Sequence, residues 1–477
     1  MSPHLAAAIF YIGIAGLFYL DRDKTVHTSK ALWLPVIYLW ITGSRSVSGW
    51  LGIAPPPGVN TQLEGSPVDR LFFQVLLAAG VLVLIRRRSR TSALLKTCWP
   101  ILLYFSYCLI SVLWSPYPDV AFKRWTKAIG DLVMVLVVVT EADLTAALRR
   151  FLSRTGFILL PLSVLLIKYF NDLGRGYGPS GEAMNTGVTT NKNTLGVITF
   201  ILTLGAVWQV LTLLGAKGQP NRGRHLLAQG TLLAFGVAVL AMAHSATSVA
   251  CFALGTVLMV ATRVPMIRGR ASAVHALILT IMIAGAFMML FGGEGAAVHA
   301  LGRQSNFTGR TEIWKAVIPA VPNELIGAGF ESFWITPSCM DKVADNLAGW
   351  WNPRGLNEAH DGYIEVYLNL GWVGVGLIAL IIISGYMRAV AAFRRDPGIS
   401  SLLLAYIATA AIYSITEAGF RLLTPIWIFL LLALVGAGRI ASGAIGGAPE
   451  AIDGPVHPDA DVLANNNYAL HLLPSND

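Results

Sequence analysis

The stretch NEAHDGYIEVYLNLGWVGVG, residues 357–376, decides how the chain is read. A long polar segment ends there and a long apolar run begins. His360 and three carboxylates, Glu358, Asp361 and Glu365, crowd the mouth of that run. Ionisable groups at the mouth of a membrane helix are costly to hold, so they usually have a job. Asn357 is a fair N-cap, which predicts His360 in the first helical turn. There the helix dipole offers partial positive charge and free N–H groups. Such an end suits a phosphate and favours neutral imidazole, the form a general base needs. The same residues also read as an interfacial histidine bonded to a neighbouring carboxylate, and the sequence alone supports both.

Outward from this stretch the composition is that of a membrane chain. The 477 residues are 55% hydrophobic and 13% charged, with mean hydropathy +0.61; a soluble domain carries roughly 25% charge. The net charge of +9 would suggest nucleic acid as a partner for a soluble protein. Here the basic residues fall mostly in short loops between apolar runs, so topology accounts for them and no nucleic-acid partner is read. The start, Ser2-Pro3-His4, has no positive n-region, and the first apolar run is expected to be a retained span rather than a cleaved signal. Of four cysteines, only Cys339 lies in the long loop, so neither a disulfide framework nor a metal cluster is indicated.

Apolar runs at 5–20, 31–53, 71–85, 99–114, 129–139, 157–170, 194–214, 226–242, 249–261, 273–291, 362–387, 401–415 and 425–435 predict an all-α integral membrane fold. The expectation is a polytopic bundle of about 12–13 transmembrane helices. Arg86, Arg87, Arg88 and Arg90 are the strongest inside marker. From it the loops 171–193 and 292–361 fall outside, and the long second loop is expected to carry short helices. Residues 1–442 read as the membrane domain and 443–477 as a disordered inside tail. Arg45 lies within the second run, where it either faces a polar cavity or snorkels to the interface.

The unusual residues gather in the outside loops. Arg175 sits among glycines, and Lys192 and Asn193 open a span, a phosphate or sugar site if not an interface anchor. Next come Arg303 and Arg310. Thr308 could cap a short helix with Arg310 in its first turn, where it pairs with Glu312 or waits for an anion; Trp314 follows on the same face. Trp334, Trp350 and Trp351 could stack on sugars or lie in the membrane interface. These clusters contain no Asp-x-Asp pair, no His-Glu-x-x-His and no glycine-rich nucleotide loop, so neither a metal nor another cofactor is expected. A lipid-linked phosphate or diphosphate, presented from the membrane, fits such a cavity better than a nucleotide sugar.

With these residues in order, the chain resembles the O-antigen ligase and O-antigen/exopolysaccharide polymerase superfamily of bacterial inner membranes. The resemblance covers residues 161–376. It rests on Gly187, Asn191, Lys192, Asn193 and Gly196, on Gly309, Arg310 and Trp314, on Gly327 and Gly329, and on His360-Asp361 with Gly371 beyond. The family usually has Asn, Ser or Gln where this chain has Asp361. The resemblance implies an inner-membrane, multi-pass, metal-independent glycosyltransferase with its active site facing the periplasm. The donor would be a glycan on undecaprenyl diphosphate, and the acceptor a saccharide or lipid A-core. It assigns the diphosphate to Arg310 and Arg175, and the family histidine to His360. Lys192 would add a point charge, and Asp361 or Glu365 would fix the imidazole tautomer. Tyr363 and Tyr367 would share a helix face with His360 and turn into the cavity or pack against other helices. A transporter or flippase of lipid-linked saccharide, or a non-catalytic scaffold of a polysaccharide assembly complex, would share the span count.

Overall fold

The computed structural model describes residues 1–23, 28–53, 63, 65–178, 181–216, 218, 221–268, 270–291, 307–349 and 355–443. Arg303, Trp350, Trp351 and the tail from 444 onward therefore lie outside the described residues. Among the described residues the fold is all-α, apart from one antiparallel hairpin that pairs Arg175–Tyr177 with Ala183–Asn185. Among the described residues, seven helices are long and apolar enough to cross a membrane, or eight if one pair bent by 86° counts as a span. Four shorter apolar helices accompany them. Pro118–Val139 is a further long helix. Its first half is charged (Lys123, Arg124, Lys127), while every residue from 130 to 139 is buried.

Burial sorts the helices into a centre and a rim. Lys192–Gly215, Pro397–Tyr413 and Pro425–Ser442 are buried nearly all round, whereas Pro3–Leu20 and Pro67–Arg86 are mostly exposed. Apolar helices that are hydrophobic on every side need either lipid or other helices around them. Lipid is as apolar as leucine, so close approach rather than water expulsion holds such helices together. Small residues permit it. A Cβ on Gly236 would stand 2.2 Å from Thr203 Oγ1, and one on Gly196 would stand 2.4 Å from Ser248 Oγ. At one end of the bundle basic residues tie the loops. Arg87 pairs with Glu141 at 2.5 Å, and Arg439 donates to the carbonyls of Val139, Glu141 and Ala142.

At the other end, residues 307–349 fold into a cap with its own small core. Phe307–Val317 and Pro337–Asn346 are helical. Ile313, Val317, Phe333, Cys339 and Val343 pack together with Leu368 of the Gly362–Arg395 helix. Trp334, read above as an outward-facing aromatic, is instead buried in this core, because its ring fills the cap and its N–H has an internal acceptor. Thr308 lies inside the first cap helix rather than before it.

The cap is locked to the bundle by a break in the helix beneath it. Gly371 has φ +63° and ψ −165°, so the helical hydrogen-bond ladder is interrupted there. The freed groups pair with the chain around Gly327: Ala328 N donates to Leu368 O, Gly329 N to Asn369 O, Trp372 N to Glu324 O and Val373 N to Leu325 O. Buried backbone groups must find such partners. Contact is so close that a Cβ on Gly371 would lie 2.2 Å from the Leu325 carbonyl carbon, and one on Gly327 would lie 2.4 Å from that of Asn369. The glycines thus permit two backbones to meet.

Gly371→Ala adds that Cβ and a left-handed backbone penalty of roughly 1–3 kcal/mol. A clearly lowered thermal midpoint in detergent is expected, with the cap more readily proteolysed. An unchanged midpoint would mean that the break is not held by this contact.

Candidate active site

The turn between Pro397–Tyr413 and Pro425–Ser442 carries the organising charge. Glu417 is 6% exposed. Its Oε1 accepts from Arg310 Nη2 at 2.9 Å and from Asn193 Nδ2 at 3.2 Å, and its Oε2 accepts from the same amide at 3.2 Å. Arg310 also donates to the Thr416 carbonyl. His360 Nδ1 lies 3.8 Å from Glu417 Oε2 and 2.9 Å from Glu358 Oε1. The nearer contact is off the line of a ring N–H, so it is an electrostatic contact rather than a directed hydrogen bond. One carboxylate therefore gathers residues 193, 310 and 360, from three distant parts of the chain.

The backbone around His360 is pinned on both sides. Ala359 N donates to Glu365 and Ala359 O accepts from Trp314 Nε1 at 2.9 Å. Asp361 Oδ1 accepts from Tyr363 N and Ile364 N, each at 2.8 Å, and Gly362 N donates to Ser414 O at 2.7 Å. These bonds hold His360 at φ +53°, a conformation uncommon outside glycine that persists only where the surroundings over-determine it.

A second arginine shares Glu358 with this cluster. Arg421 Nη1 donates to Asn357 O at 3.1 Å and lies 3.9 Å from Glu358 Oε2; Arg421 Nη2 lies 3.6 Å from Glu331 Oε2. Arg124 donates to the Glu331 carbonyl. Burial opposes every charge here, but partners outweigh it for most. Burial lowers His360, yet Glu358 and Glu417 lift it to about 9. Burial raises Glu358, but His360, Arg421 and Arg310 bring it below its ordinary value. Burial lowers Arg421, but Glu331, Glu365 and Glu358 hold it above its ordinary value. For Asp361 burial wins, and it rises to about 6 despite its capping bonds and Arg310. His360 is thus an imidazolium at neutral pH.

Several expectations change. Asp361, not Asn357, is the N-cap, because its carboxylate takes two backbone N–H groups; His360 precedes the helix instead of opening it. The dipole preference for neutral imidazole gives way to the two carboxylates. Asp361 serves the backbone, and Glu365, 2% exposed, serves Trp334 Nε1 at 2.9 Å and Ala359 N. Neither sets the imidazole; Glu358 and Glu417 face it instead. Tyr363 sends its hydroxyl to Ala411 O at 3.1 Å and packs edge-on to Phe420, and Tyr367 packs on Trp372. They share no helical face with His360. Arg310 pairs with Glu417, not with Glu312.

The remaining candidates lie apart from this cluster or at its edge. Lys192 is half-buried in the first turn beside Asn193. Arg175 is exposed on the hairpin, its Nε directed at Ile167 O at 3.3 Å. Arg45 donates to the carbonyls of Thr189 and Leu173, so it ties the 171–191 loop to the second apolar run. Glu417, Arg421 and Glu331 were missed. The signal available was two opposite charges in a short turn between apolar runs. Glu358, His360 and Glu417 have ligand atoms within 4.8 Å of one another, close enough for a metal ion. Arg310 and Arg421 already place positive charge on the same carboxylates.

Residues 231–379 match the family described as O-Antigen ligase. The Exopolysaccharide production protein ExoQ of Rhizobium meliloti (strain 1021) is 24% identical over 348 residues, which cover 70% of this chain and 75% of that protein. Over these residues the chain is similar to the O-antigen ligase and exopolysaccharide polymerase superfamily. The matched segment contains Arg310 and His360 but ends before Glu417 and Arg421. A multi-pass membrane enzyme of the ligase or polymerase type follows from the family and the apolar helices.

The charge on His360 has a measurable signature. Its pKa rises from the ordinary 6.5 to about 9 on folding. Its contribution to stability is therefore complete below about pH 6.5 and lost as pH rises through about 9. The thermal midpoint of the native protein is expected to exceed that of His360→Ala at about pH 6, with the gap closing by about pH 10. A gap constant over that range would mean that the imidazole stays neutral.

Proposed function

We propose that the protein is an inner-membrane glycosyltransferase that moves a glycan from undecaprenyl diphosphate to an acceptor sugar hydroxyl on the periplasmic side, without a metal ion. The observation that carries this reading is the junction of Arg310, Arg421 and His360 around Glu417 and Glu358 at one end of the helical bundle. Three cations on inward-facing carboxylates form a site that an anionic donor can enter by exchange: its diphosphate takes the cations and frees carboxylate oxygen. The similarity to an exopolysaccharide production protein favours a polymerase, with a second lipid-linked saccharide as acceptor, over a ligase acting on lipid A-core.

The acceptor hydroxyl attacks the anomeric carbon from the face opposite the leaving diphosphate, so configuration inverts. A C–O bond forms to the acceptor as the C–O bond to diphosphate breaks. The negative charge that develops on undecaprenyl diphosphate is met by Arg310, Arg421 and the imidazolium of His360. Preorganised cations of this kind would take the place of a divalent ion. The acceptor proton passes to a carboxylate. Glu358 is suited, being ionised and 2.9 Å from His360 Nδ1, and the imidazolium orients it and balances its charge. His360 thereby acts with Glu358 rather than as a lone neutral base. Lys192 and Arg175 belong to the donor's path at the membrane surface, and Asn193 fixes Glu417. Tyr363, Asp361, Glu365 and Arg45 support the frame.

Purified protein in liposomes with a lipid-linked saccharide should transfer glycan in the presence of EDTA. Arg310→Lys keeps the charge but loses the planar fork, with an expected loss of about 2–4 kcal/mol of transition-state stabilisation. Activity lost to EDTA and restored by magnesium would overturn the arginine clamp, as would full activity of Arg310→Lys. In a deletion strain, accumulation of single lipid-linked repeats is expected for a polymerase, whereas lipid-linked polymer would favour the ligase.

A further inference from the structure

Pro118–Val139 carries a carboxylate that the chemistry above does not use. Asp131 is fully buried in the apolar half of that helix. A carboxylate in such a place is expensive unless its oxygens are bonded. Both are: Oδ1 accepts from Tyr38 Oη at 2.8 Å, and Oδ2 accepts from Leu423 N at 3.0 Å. Gly130 leaves room for the tyrosine, since a Cβ there would lie 3.2 Å from its hydroxyl.

Leu423 belongs to the turn that supplies Glu417 and Arg421. Its φ is +60°, an unfavourable value for a residue with a branched side chain. On its far side, Thr424 Oγ1 donates to Arg421 O at 2.7 Å and to Gly419 O at 3.2 Å. Next comes Pro425, which opens the following helix and has no N–H. The Thr424 N–H turns back to Arg421 O, whereas the Leu423 N–H reaches out of the turn, and the bundle offers it a buried carboxylate.

We propose that Asp131 is a positioning residue: by holding the Leu423 N–H from inside the bundle, it fixes the 417–424 turn and so sets Arg421 against Glu331 and Glu358. Its effect on transfer rests on the glycosyltransfer reading above; its effect on the turn does not. Asparagine keeps an oxygen for Leu423 and can turn its amide toward the tyrosine oxygen. Leucine keeps the bulk and removes both acceptors.

Hydrogen exchange of a peptide covering 416–424, measured on the full chain in nanodiscs, tests the first part. Asp131→Leu should speed exchange at Leu423 at least about tenfold, and Asp131→Asn should leave it within about threefold of the native protein. Transfer measured on the same samples should fall at least about tenfold for Asp131→Leu, chiefly through a raised KM for the lipid-linked donor, and be largely restored by Asp131→Asn. If Asp131→Leu does not insert, Asp131→Ala carries the same test without added bulk. Unchanged exchange in the leucine or alanine variant overturns the proposal. So does an asparagine variant as exposed as the leucine one, or a loosened turn with native transfer. A native protein inactive with every lipid-linked donor sinks the glycosyltransfer reading instead, and the exchange result still decides whether Asp131 holds the turn.

Discussion

The site depends on one buried carboxylate. Glu417 accepts from Arg310 and Asn193 and faces His360, so the cap, one central helix and the mouth of another converge on it. Removing one partner of a buried ion pair costs more than the pair is worth, because the other charge is left uncompensated. A carboxylate with several cationic or amide partners is thus a strong joint only while all are present. The arrangement is also exchangeable: an anion that binds Arg310 competes directly with Glu417. On the proposed reading, a charged lipid donor would meet cations already positioned, which leaves little reorganisation for the reaction itself.

That joint rests on a frame whose cohesion comes from contact distance. In lipid there is no water to expel between helices, so glycines and hydroxyl-bearing residues bring backbones together. The break at Gly371 applies the same principle to the cap. The helix gives up its own hydrogen bonds and takes those of the segment around Gly327. The cap is thereby registered on the helix that presents His360, and Trp314 and Trp334 complete the link through Ala359 O and Glu365. The cap helix that carries Arg310 is held by this same arrangement.

The membrane fold was legible because hydropathy alone marks long apolar runs. At Pro118–Val139 it marked the largely buried second half, 129–139, but not the first half, whose charges keep it from reading as part of the same helix. Arg310 and His360 were legible as ionisable residues in unusual places, and the glycines near 327 and 371 as a pattern. Why those glycines recur was not, since their reason is a backbone contact between segments more than forty residues apart. The pairing of Arg310 with Glu417 spans 107 residues, and nothing local in a short polar turn announces it. The state of His360 was misread for a related reason. Asn357 and Asp361 are both good caps, and the local rule could not say which one the backbone uses. Once Asp361 takes that place, two distant carboxylates rather than the helix dipole govern the imidazole.

The most direct test is a structure of the protein with a non-hydrolysable lipid-linked diphosphate saccharide bound, determined in nanodiscs by electron cryomicroscopy. The diphosphate oxygens are expected within hydrogen-bonding distance of Arg310 and Arg421, with Glu417 displaced from the Arg310 guanidinium and the anomeric carbon near His360 and Glu358. A diphosphate seated at the opposite end of the bundle, near Arg87 and Arg439, or one bound while the Arg310–Glu417 pair stays closed, would contradict the account.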